Sequence, residues 1–355
     1  MFLNIFINSM DDTIKNIVFG IFNKKHNLEV KKILGKGGFG EVREIEYKGK
    51  TYAGKLVKKM KNYIYKKEDI EKEIIIGLKG PKIVKVYKIY EEEYNNETYI
   101  LYIMEKAYLK DLKNIIKFLF ENSFLNNKAF NETIGDNLLK FFVKQIIDSL
   151  ELLDRNNYLH FDIKPENILN NLEINLKLSD FGLLRDTSNI DSIRIPGGTP
   201  GYLSPEYYNH QKLSIERAKK QDYFALGATI FYLKFGKKMI KIDKEETDRE
   251  KQENIIFSIQ RQITYIQTNK ICDRDFVDFL CSLIQIYPDD RPTFEQIYRN
   301  IWINKNSEYI KNIYDGNKDD ERKLITELKK SDFLVEIKKD LKNSKQKKKK
   351  FIFNK

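Results

Sequence analysis

Apolar positions in the first third of the chain alternate with the period of strands. Leu28–Leu34, Val42–Tyr47 and Thr51–Val57 read as three of them, the last two joined by the tight Lys48-Gly49-Lys50 turn, so the three form an antiparallel meander. Between residues 66 and 78 the period changes: Ile70, Ile74, Ile75 and Leu78 recur at helical spacing. Two further strands, Ile83–Glu91 and Thr98–Glu105, flank the polar Asn95-Asn96 turn. Beyond Glu105 the pattern is mainly helical. It predicts helices over Leu109–Glu121, Asn137–Asn156, Ala218–Phe235, Gln252–Gln267, Arg274–Ile286 and Thr293–Asn300. After Trp302 the apolar pattern weakens; Lys323–Leu341 reads as one more helix, and Lys347–Lys350 is a terminal basic run. A strand-rich front followed by a helix-rich back predicts an α+β, two-lobed architecture.

Composition adds little to that outline. With 355 residues and 41% hydrophobic content the chain is long enough to bury a full core, and no stretch is long and apolar enough to span a bilayer. The opening Met1–Asn8 is apolar but short, has no basic flank and is interrupted by Asn, which argues against a secretory leader and for packing onto the fold. The two cysteines, Cys272 and Cys281, have no His or Cys cluster beside them in sequence and read as buried, reduced thiols, which fits an intracellular protein of cytoplasm or nucleus. The net charge of +12 is spread through lysine along the whole chain. Contact of the basic tail with an acidic partner, nucleic acid or anionic lipid, is therefore the lesser reading of a solvated charged end.

The chemistry concentrates in His160-Phe161-Asp162-Ile163-Lys164-Pro165-Glu166-Asn167, followed at short range by Asp180-Phe181-Gly182. Phosphoryl transfer is mostly positioning and charge neutralisation: a carboxylate to orient a hydroxyl, a cation at the moving phosphate, and oxygen ligands for magnesium. Asp162, Lys164, Asn167 and Asp180 supply that set. The two strings resemble the catalytic loop and metal-binding motif of eukaryotic protein kinases. The resemblance implies that Asp162 is the catalytic base, that Lys164 neutralises the transferred phosphate, and that Asn167 and Asp180 ligate Mg2+, with Mn2+ as an alternative.

Further motifs follow in the order this family has them. Gly35-Lys36-Gly37-Gly38-Phe39-Gly40-Glu41-Val42 has the spacing G-x-G-x-x-G-x-V, in which Gly35, Gly37 and Gly40 let backbone amides approach phosphates. A dinucleotide-binding fingerprint leads into a helix; this run leads into a second strand. Ala53-Gly54-Lys55 resembles the strand whose lysine meets the nucleotide phosphates, and its partner is expected on the following helix at Glu71, with Glu73 as the fallback. Ile103-Met104-Glu105-Lys106-Ala107 resembles the segment that holds adenine: Met104 behind the pocket, the backbone of Glu105 and Ala107 bonding the base, and Val42, Ala53 and Leu169 sandwiching its ring.

Gly198-Thr199-Pro200-Gly201-Tyr202-Leu203-Ser204-Pro205-Glu206 resembles the substrate-docking loop of serine/threonine kinases, with Thr199 bonded to Asp162 and Lys164 and Glu206 paired with Arg291. Asp222 resembles the helix aspartate that holds the catalytic loop from below. Phe161 departs from the family's usual arginine, which ordinarily meets an activation-loop phosphate; Arg185 is the remaining cation for a phosphate on Thr187, Ser188 or Ser192. Glu166 could favour a basic residue beside the phosphoacceptor, although Tyr232 replaces the second glutamate of strongly basophilic relatives.

The sequence thus predicts a bilobal protein-kinase-like fold over 28–303, with a small antiparallel-sheet lobe carrying one helix (28–105) and a mainly helical lobe (106–303). An N-terminal extension, 1–27, and a Lys-rich C-terminal extension, 304–355, flank it. The implied activity is ATP-dependent phosphorylation of serine and threonine in protein substrates; the alternative is a catalytically weak scaffold of the same fold.

Overall fold

The computed structural model describes residues 11–37, 40–59, 80–107, 111–122, 136–170, 175–243 and 245–305. The chain divides into two compact units at the junction of Tyr108 and Leu109.

The first unit is built on a five-stranded antiparallel sheet of β1 (Glu29–Gly37), β2 (Gly40–Tyr47), β3 (Lys50–Lys58), β4 (Val86–Tyr94) and β5 (Glu97–Met104), in the order β1-β2-β3-β5-β4. Two of its hairpins close through two-residue turns in which both central residues have positive φ: Lys48 and Gly49 (49° and 72°), and Asn95 and Asn96 (51° and 58°). That backbone matches the right-handed twist of the flanking strands. Pleating then sorts the side chains. Ile45, Leu56, Leu101 and Ile103 share one face and a core with Tyr99, whereas Val86, Ile100 and Tyr102, with Val57, Ile89 and Met104, make a second cluster.

The first of these clusters is closed by a helix that the hydrophobic pattern did not announce, α1 (Asp12–His26), which contributes Val18, Phe19 and Phe22 to the core. It is punctuated by standard caps. The Asp11 carboxylate accepts the Thr13 N–H at 2.6 Å, and Asn27 ends the helix in the left-handed conformation. The helix is also anchored by polar contacts. Arg43 of β2 lies over the Phe19 ring at 4.5 Å, and His26 stacks on Tyr90 at 3.9 Å while bonding Glu92 at 2.8 Å. The helix expected over 66–78, including Glu71 and Glu73, lies outside the described residues.

The second unit is mainly helical: α2 (Leu112–Asn122), α3 (Asp136–Arg155), α4 (Ile215–Phe235), α5 (Asp248–Thr268), α6 (Arg274–Leu283), α7 (Phe294–Tyr298) and α8 (Ile301–Asn304). Three short antiparallel pairs sit among them, namely β6 (Tyr158–Leu159) with β9 (Arg185–Asp186), β7 (Ile168–Asn170) with β8 (Leu176–Leu178), and β10 (Ser192–Ile193) with β11 (Leu213–Ser214). From Gln221 to Phe235 every residue of α4 is buried, so this stretch is enclosed on all sides and forms the axis of the unit.

Several boundaries differ from those the sequence predicts. The helices expected from Ala218 and Gln252 begin at Ile215 and Asp248, because polar caps start them ahead of the apolar period: Ser214 on α4, and on α5 a capping box in which Thr247 and Glu250 bond reciprocally. The helix expected over Thr293–Asn300 is broken in two, because the Asn300 side chain accepts the Trp302 N–H at 2.9 Å and starts α8. The strand expected from Ile83 begins at Val86; Ile83 and Val84 are buried in the loop before it. The predicted helix over Lys323–Leu341 and the basic run Lys347–Lys350 lie outside the described residues. No helix among the described residues is long and apolar enough to cross a membrane.

Candidate active site

The loop His160–Asn167 is held from the buried axis helix. Asp222 of α4 accepts the backbone N–H of both His160 and Phe161 at 2.8 Å. Burial pushes its carboxyl up to about 7, against the pull of these two donors. Phe161 is fixed with φ 63°, a left-handed conformation that costs a phenylalanine about 1–2 kcal/mol and that the surrounding structure must impose. His160 sets the other side. Its Nδ1 accepts the Asp162 N–H at 3.2 Å, so Nε2 carries the proton and donates to the Ser179 carbonyl at 3.1 Å. Burial keeps this imidazole below the usual histidine range.

Asp162 therefore projects from a rigid loop, and three side chains converge on it. Lys164 Nζ donates to Oδ2 at 2.6 Å, Asn167 Nδ2 donates to the same oxygen at 2.9 Å, and Thr199 Oγ1 donates to Oδ1 at 2.7 Å. Lys164 also donates to Thr199 Oγ1 at 2.6 Å, closing a triangle of the three residues. A carboxylate offers about four lone-pair positions, so these donors leave one for a further hydroxyl. Asp162, Lys164 and Asn167 are buried, and Thr199 is half-buried. Charges at such depth are only weakly screened.

The β7–β8 hairpin brings Asp180 to the same loop. Beyond the Ile168–Leu178 pair, Ser179 donates its N–H and its hydroxyl to the Asn167 carbonyl at 2.8 and 2.9 Å. Asp180 is the next residue, in the left-handed conformation at φ 63° and ψ 74°. Leu169 lies in β7, bridged to Asp111.

Thr199 reaches Asp162 because of Gly198. That residue has φ 155°, and a Cβ there would stand 2.9 Å from the Phe161 carbonyl and 2.7 Å from Leu203. Past Thr199 the chain is anchored twice. Gln221 of α4 accepts the N–H and hydroxyl of Ser204 at 2.9 and 2.6 Å, and Glu206 forms a bidentate pair with Arg291 at 2.6 and 2.8 Å. Arg291 gives its remaining protons to the carbonyls of Lys220, Gln285 and Ile286.

The segment between Asp180 and Gly198 is held without a cation at position 161. Phe161 is buried in a cluster with Leu159, Leu183 and Ala218, against which Ile193, Ile195 and Leu213 pack. Thr187 donates both its N–H and its hydroxyl to the Asn157 carbonyl at 2.8 Å, and the Ser188 hydroxyl bonds the Asp186 carboxylate at 2.6 Å. Arg185, expected to face these hydroxyls, donates to the Leu184 carbonyl.

In the first unit the sheet register aligns the remaining predicted residues. Gly35 pairs with Val42 and Val42 with Lys55 across neighbouring strands; Ala53 pairs with Met104. Directly paired residues share a face, so Val42, Ala53, Lys55 and Met104 lie on the face opposite α1. Gly37 pairs with Gly40 at the turn. Gly40 has φ 147°, and a Cβ there would fall 2.0 Å from the Leu56 carbonyl, so no side chain fits. Glu105 donates its N–H to the Lys85 carbonyl at 2.7 Å, and Ala107 follows two residues on. Glu71 and Glu73 lie outside the described residues.

One sequence expectation needs correction. Cys272 and Cys281 are half-buried free thiols, each raised to about 11 by partial burial; neither is a core residue. A contact that sequence reasoning missed is the pair between Glu166 and Lys113 of α2, at 2.9 Å. The two stand 53 positions apart in sequence (166 − 113 = 53), and no motif links them.

Comparison with known proteins agrees with this arrangement. The protein kinase domain family matches residues 28–303. Among similar proteins, NUAK family SNF1-like kinase 1 of Homo sapiens is 27% identical over 289 residues, 79% of this chain and 39% of its own length. Aurora kinase of Eremothecium gossypii is 28% identical over 294 residues, 81% of this chain and 71% of its own. Serine/threonine-protein kinase 17A of Oryctolagus cuniculus is 25% identical over 299 residues, 81% of this chain and 68% of its own. The chain thus spans about two fifths of the first of these relatives. With the family matched across most of its length and the catalytic-loop geometry in place, the chain belongs to the protein kinase domain family.

Proposed function

We propose that the protein phosphorylates serine and threonine hydroxyls of protein substrates with ATP. The observation that carries this reading is the closed triangle of Asp162, Lys164 and Thr199, at 2.6–2.7 Å on every side. In it Asp162 keeps one lone-pair position for the acceptor hydroxyl and takes its proton as the hydroxyl oxygen attacks. Lys164 sits beside that oxygen and offsets the negative charge that builds between acceptor and phosphate. Thr199 holds the carboxylate in one rotamer, so the base and the lysine stay in register.

The donor set also suits magnesium. Asn167 spends its amide protons on Asp162, which leaves Oδ1 as the atom for a cation, and Asp180 adds a carboxylate; both are hard oxygen ligands. These two residues would hold the ion, or manganese in its place. Bound there, it would supply positive charge to offset that of the ATP phosphates. Gly35, Gly37 and Gly40 would admit the phosphates to the backbone, and Lys55 would pair with them, with Glu71 as its partner. Val42, Ala53, Met104, Glu105, Ala107 and Leu169 would enclose the adenine. Residues 1–27 and 304–355, outside the family match, would be extensions of the kinase domain.

The test is transfer of labelled γ-phosphate to a peptide in Mg2+ or Mn2+, with wild type and Asp162→Asn compared. Removing the base should lower the rate about 10²–10⁴-fold while nucleotide affinity holds. Absence of transfer by wild type with either metal would leave a scaffold of kinase fold as the function.

A further inference from the structure

Lys113 is in the wrong place for its own helix. It stands in the first turn of α2, whose amide N–H groups carry the positive end of the helix dipole, and that turn contains no acidic residue. The helix is started by Asp111, which accepts the N–H and side-chain amide of Asn114 at 2.8 Å each and is therefore committed to the cap. A lysine two residues after the cap works against the dipole. Such local conflicts concentrate at functional positions.

Its partner explains the placement. Glu166 lies on the turn Pro165–Asn167, two residues beyond Lys164 and four beyond Asp162, and its Oε1 sits 2.9 Å from Lys113 Nζ. The other oxygen, Oε2, is buried without a hydrogen-bond partner among the described residues. A buried carboxylate oxygen with no donor among the described residues is an acceptor that a bound ligand can use. Glu166 stands next to Asn167, whose side-chain amide is bonded to the Asp162 carboxylate at 2.9 Å, so the Lys113–Glu166 pair lies beside the Asp162 triangle. Glu166 alone would make that place an attractor of arginine and lysine. Lys113 cancels the charge and, with its side chain 44% exposed, remains accessible to what binds there.

We propose that Lys113 is a specificity-determining residue: by pairing with Glu166 it makes the subsite next to the phosphoacceptor charge-neutral, so that the protein accepts substrates without a basic residue at that subsite. The inference rests on the kinase reading given above. The residue that binds there offers a neutral hydrogen-bond donor to Glu166 Oε2, as serine, threonine, asparagine or glutamine does. An arginine gains little, because it meets a carboxylate whose charge is already matched.

The experiment is a peptide library in which each position around a fixed serine is varied, read as kcat/KM for wild type, Lys113→Met, Lys113→Arg and the double variant Lys113→Met/Glu166→Gln. Wild type should prefer arginine over alanine less than about twofold at every position. Lys113→Met should raise that preference at one position about fivefold, the upper range for a half-exposed charge pair, with the change in KM and a loss on added salt. Lys113→Arg should keep the wild-type profile, and the double variant should return to it. A purely structural role for Lys113 would lower all peptides alike and leave the ratios unmoved. Unchanged ratios in Lys113→Met, or a strong arginine requirement in wild type, would overturn the proposal while leaving the kinase reading intact. Failure of wild type to phosphorylate any peptide would overturn both.

Discussion

Phe161 replaces a phosphate-reading cation with an apolar anchor, and its truncation should separate the two ways of holding an activation segment. The side chain is buried among Leu159, Leu183 and Ala218, with Ile193, Ile195 and Leu213 packed against the cluster. Phe161→Ala empties that space. Large-to-small changes of this kind cost about 3–5 kcal/mol, and alanine at φ 63° is no less strained than phenylalanine, so the backbone gives nothing back. Phe161→Leu keeps most of the volume and should cost less than about 1.5 kcal/mol. Urea unfolding measures both, and hydrogen exchange across residues 183–195 shows where the loss falls: those amides should lose protection in the alanine variant first. The same anchor should make phosphate dispensable. Thr187 spends its hydroxyl on Asn157, and Ser188 faces the Asp186 carboxylate, which repels an added charge of about −1.5 to −2. Phosphatase-treated wild type and the Thr187→Ala/Ser188→Ala/Ser192→Ala variant should therefore keep most of their activity. A cost below 1 kcal/mol for Phe161→Ala, or a tenfold fall in activity on dephosphorylation, would refute the reasoning.

Three further outcomes follow from named contacts. Phe22→Ala in α1 should destabilise the first unit by about 3–5 kcal/mol in a urea melt, because Phe22 is fully buried in its core; a change under 1 kcal/mol would mean that the helix only rests on the sheet. Glu206→Gln should cost about 3–5 kcal/mol, seen as a lowered Tm, because it leaves the fully buried Arg291 guanidinium without its counter-charge; an unchanged Tm would contradict this. Between about pH 4 and 7 the unfolded chain ionises Asp222 while the fold keeps it protonated. Its contribution is thus complete below pH 4 and lost as pH rises to 7, on the order of 4 kcal/mol. Asp222→Asn should remove that slope from the stability curve, and parallel curves for the two proteins would sink the assignment.

How far the sequence carries varies with the kind of contact. The Asp162, Lys164, Asn167 and Thr199 constellation was legible because it is built from short motifs whose spacing is set by one loop, one hairpin and one docking segment. The Glu206–Arg291 pair and the Asp222 brace were legible for the same reason. α1 was not. Its Ile14, Ile17, Val18, Phe19, Ile21 and Phe22 crowd together with Gly20 between them, so the helical period blurs, although Asp11, the Lys24-Lys25-His26 end and Asn27 are sound cap signals. Helix starts were misplaced at α4 and α5, where the polar caps Ser214 and Thr247 lie several residues ahead of the apolar period. The Lys113–Glu166 pair left no trace in any motif because it depends on the packing of α2 against the catalytic turn; a lysine in a first helical turn was the one available signal.

The central claim is transfer of the ATP γ-phosphate to an aliphatic hydroxyl under the control of Asp162. Phosphoamino-acid analysis of protein labelled from γ-labelled ATP with Mg2+ tests it most directly, with Asp162→Asn beside wild type. Wild type should yield phosphoserine with phosphothreonine, and the variant 10²–10⁴-fold less of either. Label found mainly on tyrosine, or equal labelling by the two proteins, would contradict the account.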